Sequence, residues 1–263
     1  MNKNNYLSRV EQIFFSTIKK TDIIDNSFIK EIFPNYSSQK INKICHKLLS
    51  KGYLHTIKRG AYIVNETPST KPIITDPFKI APYVNKGYIG FLSALRHYDL
   101  INYEPFTIFI VTPKKSQEIE IGNYLFKTVS MGEKATGVTY FKNVYVSTIE
   151  KTFFDCFYKP QYAGGYREII NALSNHPKIR WDQFLNYFER FASDALFQRT
   201  GYILDLLIER NMINPPKKLI KTFKNHVRNT TKLLPSKKSK GRYVKQWKLL
   251  DNIGKEILLS EGE

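Results

Sequence analysis

Acidic residues are scarce in this chain of 263 residues. It holds 23 Asp and Glu against 41 Lys and Arg, which gives a formal charge of +18 at pH 7. The imbalance is uneven, because residues 1–66 carry 11 basic and 5 acidic side chains, residues 67–210 carry 17 and 14, and residues 211–263 carry 13 and 4. We therefore expect the two ends of the chain to be the parts that meet a polyanion.

Cysteines and long apolar runs are scarce as well. The two cysteines, Cys45 and Cys156, show no disulfide or redox spacing. No run approaches the roughly 18 apolar residues that a transmembrane helix needs. The first residues, Met-Asn-Lys-Asn-Asn-Tyr, contain no apolar signal region. These absences predict a cytoplasmic protein that has no membrane partner.

Residue sets that carry catalysis or bind metals are missing too. The histidines are scattered and lack the close spacing of metal sites; they are His46, His55, His97, His176 and His226. There is no phosphate-binding glycine loop of the Walker or dinucleotide kind, and Gly164-Gly165 is interpreted more simply as a helix break than as an anion site. No carboxylate cluster of the nuclease kind stands out. We predict that the protein is not an enzyme and has no catalytic residue, no metal and no cofactor.

The most informative stretch that is present extends from Ser37 to Val64. Apolar residues recur in it at helical spacing and predict a helix over 38–51; they are Ile41, Ile44, Cys45, Leu48 and Leu49. Ser37 or Ser38 supplies the N-cap, and Gly52 ends the helix. The outward face of this helix carries no acidic residue. The next residues alternate and turn at Arg59-Gly60, which predicts a β-hairpin.

Two further helical patterns precede this helix, over residues 7–18 and 28–33. Three helices followed by a hairpin with a basic tip predict a winged helix-turn-helix over residues 1–66, whose last helix enters the major groove of DNA. The expected DNA contacts are Ser37, Ser38, Gln39, Lys40, Asn42, Lys43, Lys47, Lys58 and Arg59. The alternative interpretation is a small helical domain whose lysines form a solvated face.

The remainder of the chain predicts an α+β protein overall. Residues 67–77 are rich in Pro, Ser and Thr, which predicts a linker. Residues 78–263 then predict a larger α/β domain with a small, largely antiparallel sheet and several helices. Near the end, residues 217–232 predict a basic amphipathic helix. Its charged face is a candidate for a secondary nucleic-acid contact through Lys217, Lys218, Lys221, Lys224 and Arg228.

A series of short motifs extends over nearly the whole chain. It begins with Lys58-Arg59-Gly60-Ala61-Tyr62 in the hairpin and continues through residues 90–95, 146–155, 160–165, 198–205 and 245–252. In this order the motifs resemble the AbiEi-type antitoxins, which are also transcriptional regulators. The sequence departs from that pattern at Thr200, where many members have an apolar residue.

The resemblance implies one half of a type IV toxin–antitoxin module that acts in abortive infection. Such a protein represses its own operon through the winged helix. Its C-terminal domain counters a nucleotidyltransferase-like toxin without forming a stable complex with it. The expected partner is operator double-stranded DNA, and inverted repeats are one arrangement that such an operator can have.

Two other functions remain open on sequence grounds. One is an RNA- or ribosome-binding protein that uses the basic C-terminal segment. The other is a nuclease that the winged helix targets to DNA, although the missing carboxylate cluster argues against it. DNA binding that is independent of metal and leaves the duplex uncut would separate the regulator from the nuclease.

Overall fold

A computed structural model describes residues 6–175 and 178–260. These residues form eleven α-helices and twelve strands, which confirms a mixed α+β fold. The first elements are α1 (Arg9–Ile18), β1 (Ile23–Asp25), α2 (Asn26–Ile32), α3 (Ser38–Ser50), β2 (Leu54–Lys58), β3 (Ala61–Val64), α4 (Ala81–Val84), β4 (Tyr88–Ile89), α5 (Phe91–His97), β5 (Thr107–Thr112), β6 (Gln117–Ile121) and β7 (Tyr124–Ser130). There follow β8 (Val138–Phe141), β9 (Val144–Ser147), α6 (Ile149–Tyr158), α7 (Tyr166–Ser174), α8 (Trp181–Phe191), α9 (Asp194–Glu209), α10 (Lys217–Lys224), β10 (Thr231–Lys232), β11 (Arg242–Val244), β12 (Leu249–Asp251) and α11 (Lys255–Leu259).

The chain divides into two compact units. The first unit comprises Met1–Tyr88, Phe106–Ser130 and Lys142–Val144, and the second comprises Ile89–Pro105, Met131–Phe141 and Tyr145–Glu263. Within residues 6–175 and 178–260, none of the helices combines the length and the apolar character that crossing a bilayer requires.

In the first unit, three helices pack on a three-stranded antiparallel sheet. The strand order is β1-β3-β2, and Ile24 of β1 pairs with Tyr62 of β3. The core between the helices and this sheet is apolar and contains Phe14, Phe15, Ile18, Ile24, Ile29, Ile41, Ile44, Cys45, Leu48, Leu54 and Val64. The helical pattern over residues 7–18 predicts Val10 and Ile13 on the buried face of α1, but both are exposed, and Phe15 is buried instead.

The predicted helix and hairpin are both confirmed. Ser37 caps α3, since its Oγ accepts a hydrogen bond from the backbone N of Lys40 at 3.2 Å. Gly52, just beyond the helix, has φ +78°, which a glycine adopts without strain. Lys58 pairs with Ala61, so the hairpin turns at Arg59-Gly60 as expected.

The second unit has a helical core rich in phenylalanine. Its aromatic centre joins Phe184 and Phe188 of α8 to Phe197 of α9 and Phe223 of α10, with ring centroids 4.8–6.4 Å apart. A small sheet in the order β10-β12-β11 is anchored beside α9. Strand β10 is parallel and strand β11 antiparallel to β12.

The expectation of a largely antiparallel sheet after residue 77 is wrong, because three strand pairs there are parallel, β5 with β7, β4 with β9 and β10 with β12. In the first unit β5 is parallel to β7, with Thr107 opposite Leu125, while β6 is antiparallel to β7. The tight turn at Gly122 places β7 directly beside β6, so the order is β6-β7-β5 and β5 meets a strand of its own direction. In the second unit β4 is parallel to β9 through Ile89 and Val146.

The predicted linker lies within the first unit and is hydrogen-bonded to residues that precede it. The buried side chain of Asn65 donates from Nδ2 to the Lys71 carbonyl at 3.1 Å and accepts from the Ile73 backbone N at 2.9 Å. The backbone N of Ser69 donates to the Gly52 carbonyl at 3.0 Å. Domain limits at 1–66, 67–77 and 78–263 stay a prediction, since the compact units follow other boundaries.

Candidate nucleic-acid interface

The outer face of α3 combines hydroxyl, amide and ammonium groups at its N-terminal half. Ser38, Gln39, Lys40, Asn42 and Lys43 are all exposed there. No acidic residue occurs in the sequence between Glu31 and Glu66. The N-terminus of a helix adds a partial positive charge to such a surface. This part of the helix is therefore equipped to meet phosphates and base edges together.

Lys40 is held close to the start of the helix by an aromatic ring. Its Nζ lies 3.6 Å from the ring centroid of Tyr36, and that ring stacks on Phe33 at 5.3 Å. A lysine over a tyrosine face gains about 0.5–1 kcal/mol at an exposed site. The contact therefore favours positions of this ammonium group near the start of the helix.

Lys47, one helical turn beyond Lys43, is tied to α1. Its Nζ lies 3.2 Å from Oε1 of Glu11, while Lys51 lies 2.6 Å from Oε2 of the same carboxylate. Burial disfavours the charge of Glu11, but bonds from Lys51, the Ser8 backbone and Lys47 outweigh it and lower its pKa to about 2. This pairing could not be predicted from the sequence, because Glu11 lies 36 residues before Lys47 and no local spacing relates the two.

The hairpin tip presents two exposed cations, Lys58 and Arg59, on a rigid support. The backbone N of Asn26 donates to the Gly60 carbonyl at 2.9 Å. Gly60 has φ +78°, and a Cβ there would lie 2.3 Å from Nδ2 of Asn26. Lys58 also lies 5.7 Å from the Tyr83 ring. The start of α2 therefore fixes the position of the tip.

The predicted second basic face is shorter than expected. The helix predicted over 217–232 ends at Lys224, so Arg228 does not belong to it. Lys217, Lys218 and Lys221 are exposed on α10 and make no ion pair within the residues that the structure describes. Lys224 is held differently, 3.8 Å from Asp205 and 5.6 Å from the ring of Trp247.

Contacts with α9 explain why α10 ends early. His226 Nδ1 lies 2.8 Å from Asp194, and its ring stacks on Phe197 at 3.8 Å. Arg228 Nε lies 3.2 Å from the other oxygen of Asp194. These contacts turn the chain onto α9 after Asn225, and they engage Arg228 in an ion pair.

Several motif residues of the second unit form a structural network between α9 and the C-terminal sheet. Gln198 Nε2 donates to the Trp247 carbonyl at 2.9 Å, and Trp247 Nε1 donates to Asp205 at 2.8 Å. Tyr202 donates to Asp251 at 2.8 Å. The motifs over 198–205 and 245–252 thus connect α9 to the C-terminal sheet by hydrogen bonds.

At Thr200, the position where the sequence departs from the motif pattern described above, the structure shows an unfavourable environment for a hydroxyl. Thr200 is fully buried on α9, and its Oγ1 finds no hydrogen-bond partner within the described residues. A buried hydroxyl without a partner costs about 1–3 kcal/mol. An apolar side chain at this position would avoid that cost.

The motif over 146–155 contains a buried ion pair. Lys151 and Asp155 lie one turn apart on α6, and both are fully buried. Burial raises the pKa of Asp155 to about 6 and lowers that of Lys151, although each charge favours the other. The second oxygen of Asp155 has no partner within the described residues.

The described residues contain no group of three metal-ligating side chains with a suitable arrangement, and His176 lies outside them. Searches against protein-family models and against curated proteins find no match to this chain.

Proposed function

We propose that this protein is a sequence-specific DNA-binding transcriptional regulator whose first unit carries a winged helix-turn-helix. The observation that supports it best is the acid-free, exposed start of α3, followed directly by the hairpin with Lys58 and Arg59 at its tip. The order α1-β1-α2-α3-β2-β3 agrees with that class. In such modules the last helix enters the major groove and the hairpin lies along the DNA backbone.

The groups on α3 suit different parts of a duplex. Gln39 and Asn42 carry amides, which pair bidentately with adenine, and Lys43 donates to guanine. Lys40, placed by Tyr36, suits a backbone phosphate, whereas Lys47 would have to share its ammonium group between a phosphate and Glu11. Ser37 and Ser38 lie at the helix start, where backbone N–H groups can also bind an anion.

Replacing Gln39 or Lys43 by Ala tests base reading. We expect each change to cost about 1–3 kcal/mol on the preferred site and to relax sequence preference there, because a base-specific hydrogen bond is lost. The preferred site is obtained by selection from random duplexes, and affinities follow from fluorescence anisotropy at fixed salt. Lys115→Ala, an exposed lysine between β5 and β6, is the matched control. Full affinity in both test variants would contradict base reading by α3.

Arg59→Ala tests the hairpin. A phosphate contact carries no sequence information, so we expect weaker binding to specific and random duplexes alike. The slope of log affinity against log salt should fall by about 0.9 in magnitude, because one phosphate neutralisation is lost. An anisotropy titration over a series of salt concentrations gives this slope. A loss restricted to the preferred sequence would assign Arg59 to base reading instead.

The lysines of α10 are proposed as a second, sequence-independent contact. A variant with Lys217, Lys218 and Lys221 changed to Gln should fold normally and bind DNA with a shallower salt dependence. The control changes Lys237, Lys238 and Lys240 to Gln, which removes the same charge from another exposed segment. Equal effects in both would mean that net charge alone acts. An unchanged DNA slope combined with weaker binding to structured RNA would favour the RNA-binding alternative.

We propose further that the protein acts as an antitoxin, a role supported by the motif resemblance. The partner would be a nucleotidyltransferase-like toxin, countered without a stable complex. Co-expression with such a gene from the same locus should restore growth, and a promoter reporter should show autorepression. Growth arrest despite full expression of this protein would contradict the antitoxin role while leaving DNA binding untouched.

A further inference from the structure

A cavity of about 750 Å³ lies within the second unit, and none of its lining residues is a proposed DNA contact. It is lined by the end of α6, the turn before α7, one side of α9, residues 234–236 and α11, and it is open to solvent on one side. Ligand pockets for small molecules occupy about 300–1,000 Å³. The volume therefore suits an organic molecule rather than a lone inorganic ion.

Most of the cavity wall is apolar. Phe157 and Leu258 are buried behind it, and Tyr166 contributes a ring that is only 5% exposed. Ile257 stands at the wall with 55% of its surface exposed. Such a wall favours a ligand with a flat ring or a hydrocarbon portion, because burying apolar area contributes about 25 cal/mol of favourable free energy per Å².

Arg199 provides an oriented charge in this apolar setting. Its Nε donates to the Lys232 carbonyl at 2.8 Å and its Nη2 donates to Thr231 Oγ1 at 3.1 Å. These two bonds hold the guanidinium plane, while Nη1 makes no hydrogen bond within the described residues. A guanidinium has five N–H donors, so donors remain for a carboxylate or phosphate.

The rest of the wall reinforces the preference for an anion. Arg167 also lines the cavity, and no Asp or Glu is found among the described lining residues. Glu168, next in sequence, lines a separate cavity, although its side-chain Cβ lies 3.1 Å from the position that a Cβ at Gly164 would take. Gly164 and Gly165 leave part of the wall without side chains, and a Cβ at Gly165 would meet nothing within 4 Å. A ligand can therefore approach the backbone closely at this point.

We propose that this cavity binds a small organic anion, in which an apolar ring is joined to a carboxylate or phosphate group. Arg199 holds the anionic group, and the apolar wall beside Ile257 and Tyr166 holds the ring. This site is independent of the proposed DNA contact, so either can fail without the other.

Two fluorescent probes with the same rings separate charge from apolar contact. 1-Anilinonaphthalene-8-sulfonate carries an anionic group, and N-phenyl-1-naphthylamine lacks it. We expect the intact protein to bind the anionic probe at one site, and phenyl phosphate or salicylate to displace it. Displacement by one competitor alone identifies phosphate or carboxylate as the preferred group. Displacement by neither would overturn the proposal.

Substitutions at Arg199 and at a control arginine then test whether the probes bind in this cavity. Arg199→Gln should weaken the anionic probe about tenfold and leave the neutral probe unchanged, since a charge-assisted hydrogen bond is lost. Arg210→Gln, an exposed arginine at the end of α9, is the control and should change neither. Equal weakening of both probes, or none, in Arg199→Gln would contradict the assigned role of Arg199.

A filled cavity gives a test that does not depend on Arg199. Ser236→Trp places a large side chain at the cavity wall, whereas Thr230→Trp introduces the same ring at an exposed site outside it. The first variant should lose binding of both probes and the second should keep it. Full binding by a folded Ser236→Trp protein would show that the probes bind elsewhere and would overturn the proposal.

Discussion

Lys151→Met is expected to destabilise the protein by about 3–5 kcal/mol, because it leaves the carboxylate of Asp155 buried without its cation. Both side chains are fully buried on α6, so solvent does not screen the loss. The double variant Lys151→Met with Asp155→Leu should recover most of this stability, since apolar groups of similar shape replace the pair. Urea unfolding followed by circular dichroism measures the three proteins.

The pH dependence of stability in the Lys151→Met variant shows whether the loss comes from the unpaired carboxylate of Asp155 or from packing. Burial already raises the pKa of Asp155 above its ordinary value of 3.8 in the presence of Lys151, and removing the cation raises it further. The folded state then binds a proton that the unfolded state does not. Lys151→Met should therefore gain stability, relative to the double variant, as the pH falls below its folded-state pKa. A parallel pH profile in the two variants would show that the loss comes from packing.

Trp247→Ala should have an effect of similar size, about 3–5 kcal/mol, because it empties a site between α9 and the C-terminal sheet. The indole is fully buried, and its Nε1 donates to Asp205 at 2.8 Å. A Cβ at Gly201 would lie 2.2 Å from the indole ring. Gly201→Ala should thus cost about 1–3 kcal/mol by overpacking, although the same change in an open helix stabilises.

The combination of the two changes gives the sharper test. With Trp247 reduced to Ala, the added methyl group at residue 201 has room, so the double variant should be more stable than Trp247→Ala alone. Asn186→Ala, an exposed position on α8, measures the ordinary benefit of alanine in a helix. Additive losses in the double variant would show that Gly201 and Trp247 do not compete for the same space.

Local pattern was sufficient to predict α3 and the hairpin. The stripe from Ile41 to Leu48, the cap at Ser37 and the turn at Gly60 each depend on neighbours in sequence. Strand β1 was not predicted, because three residues carry little periodicity and their partners lie near residue 62. The expectation of largely antiparallel strands was wrong for the same reason, since the parallel pairing of β5 with β7 bypasses the strand between them in sequence.

In the candidate site, too, local features could be predicted from the sequence, whereas contacts between distant residues could not. The exposed residues of α3 follow from helical spacing, whereas the state of individual charges depends on distant partners. Lys47 meets Glu11, and Arg228 meets Asp194, through contacts that no local spacing reveals. The early end of α10 is a tertiary effect too, because the pattern up to residue 232 remains compatible with a helix. Net charge alone therefore overstates the number of cations that are free to bind.

The hydrogen bonds of Asn65 determine where the chain can be shortened without leaving a buried amide unpaired. Its amide is buried and bonded to Lys71 and Ile73, which lie beyond the boundary that composition suggests. A shortened protein that stopped at Glu66 would retain the amide and remove these two partners. A stop after residue 75 would keep them, and it is the better choice for expressing the N-terminal helices and hairpin alone.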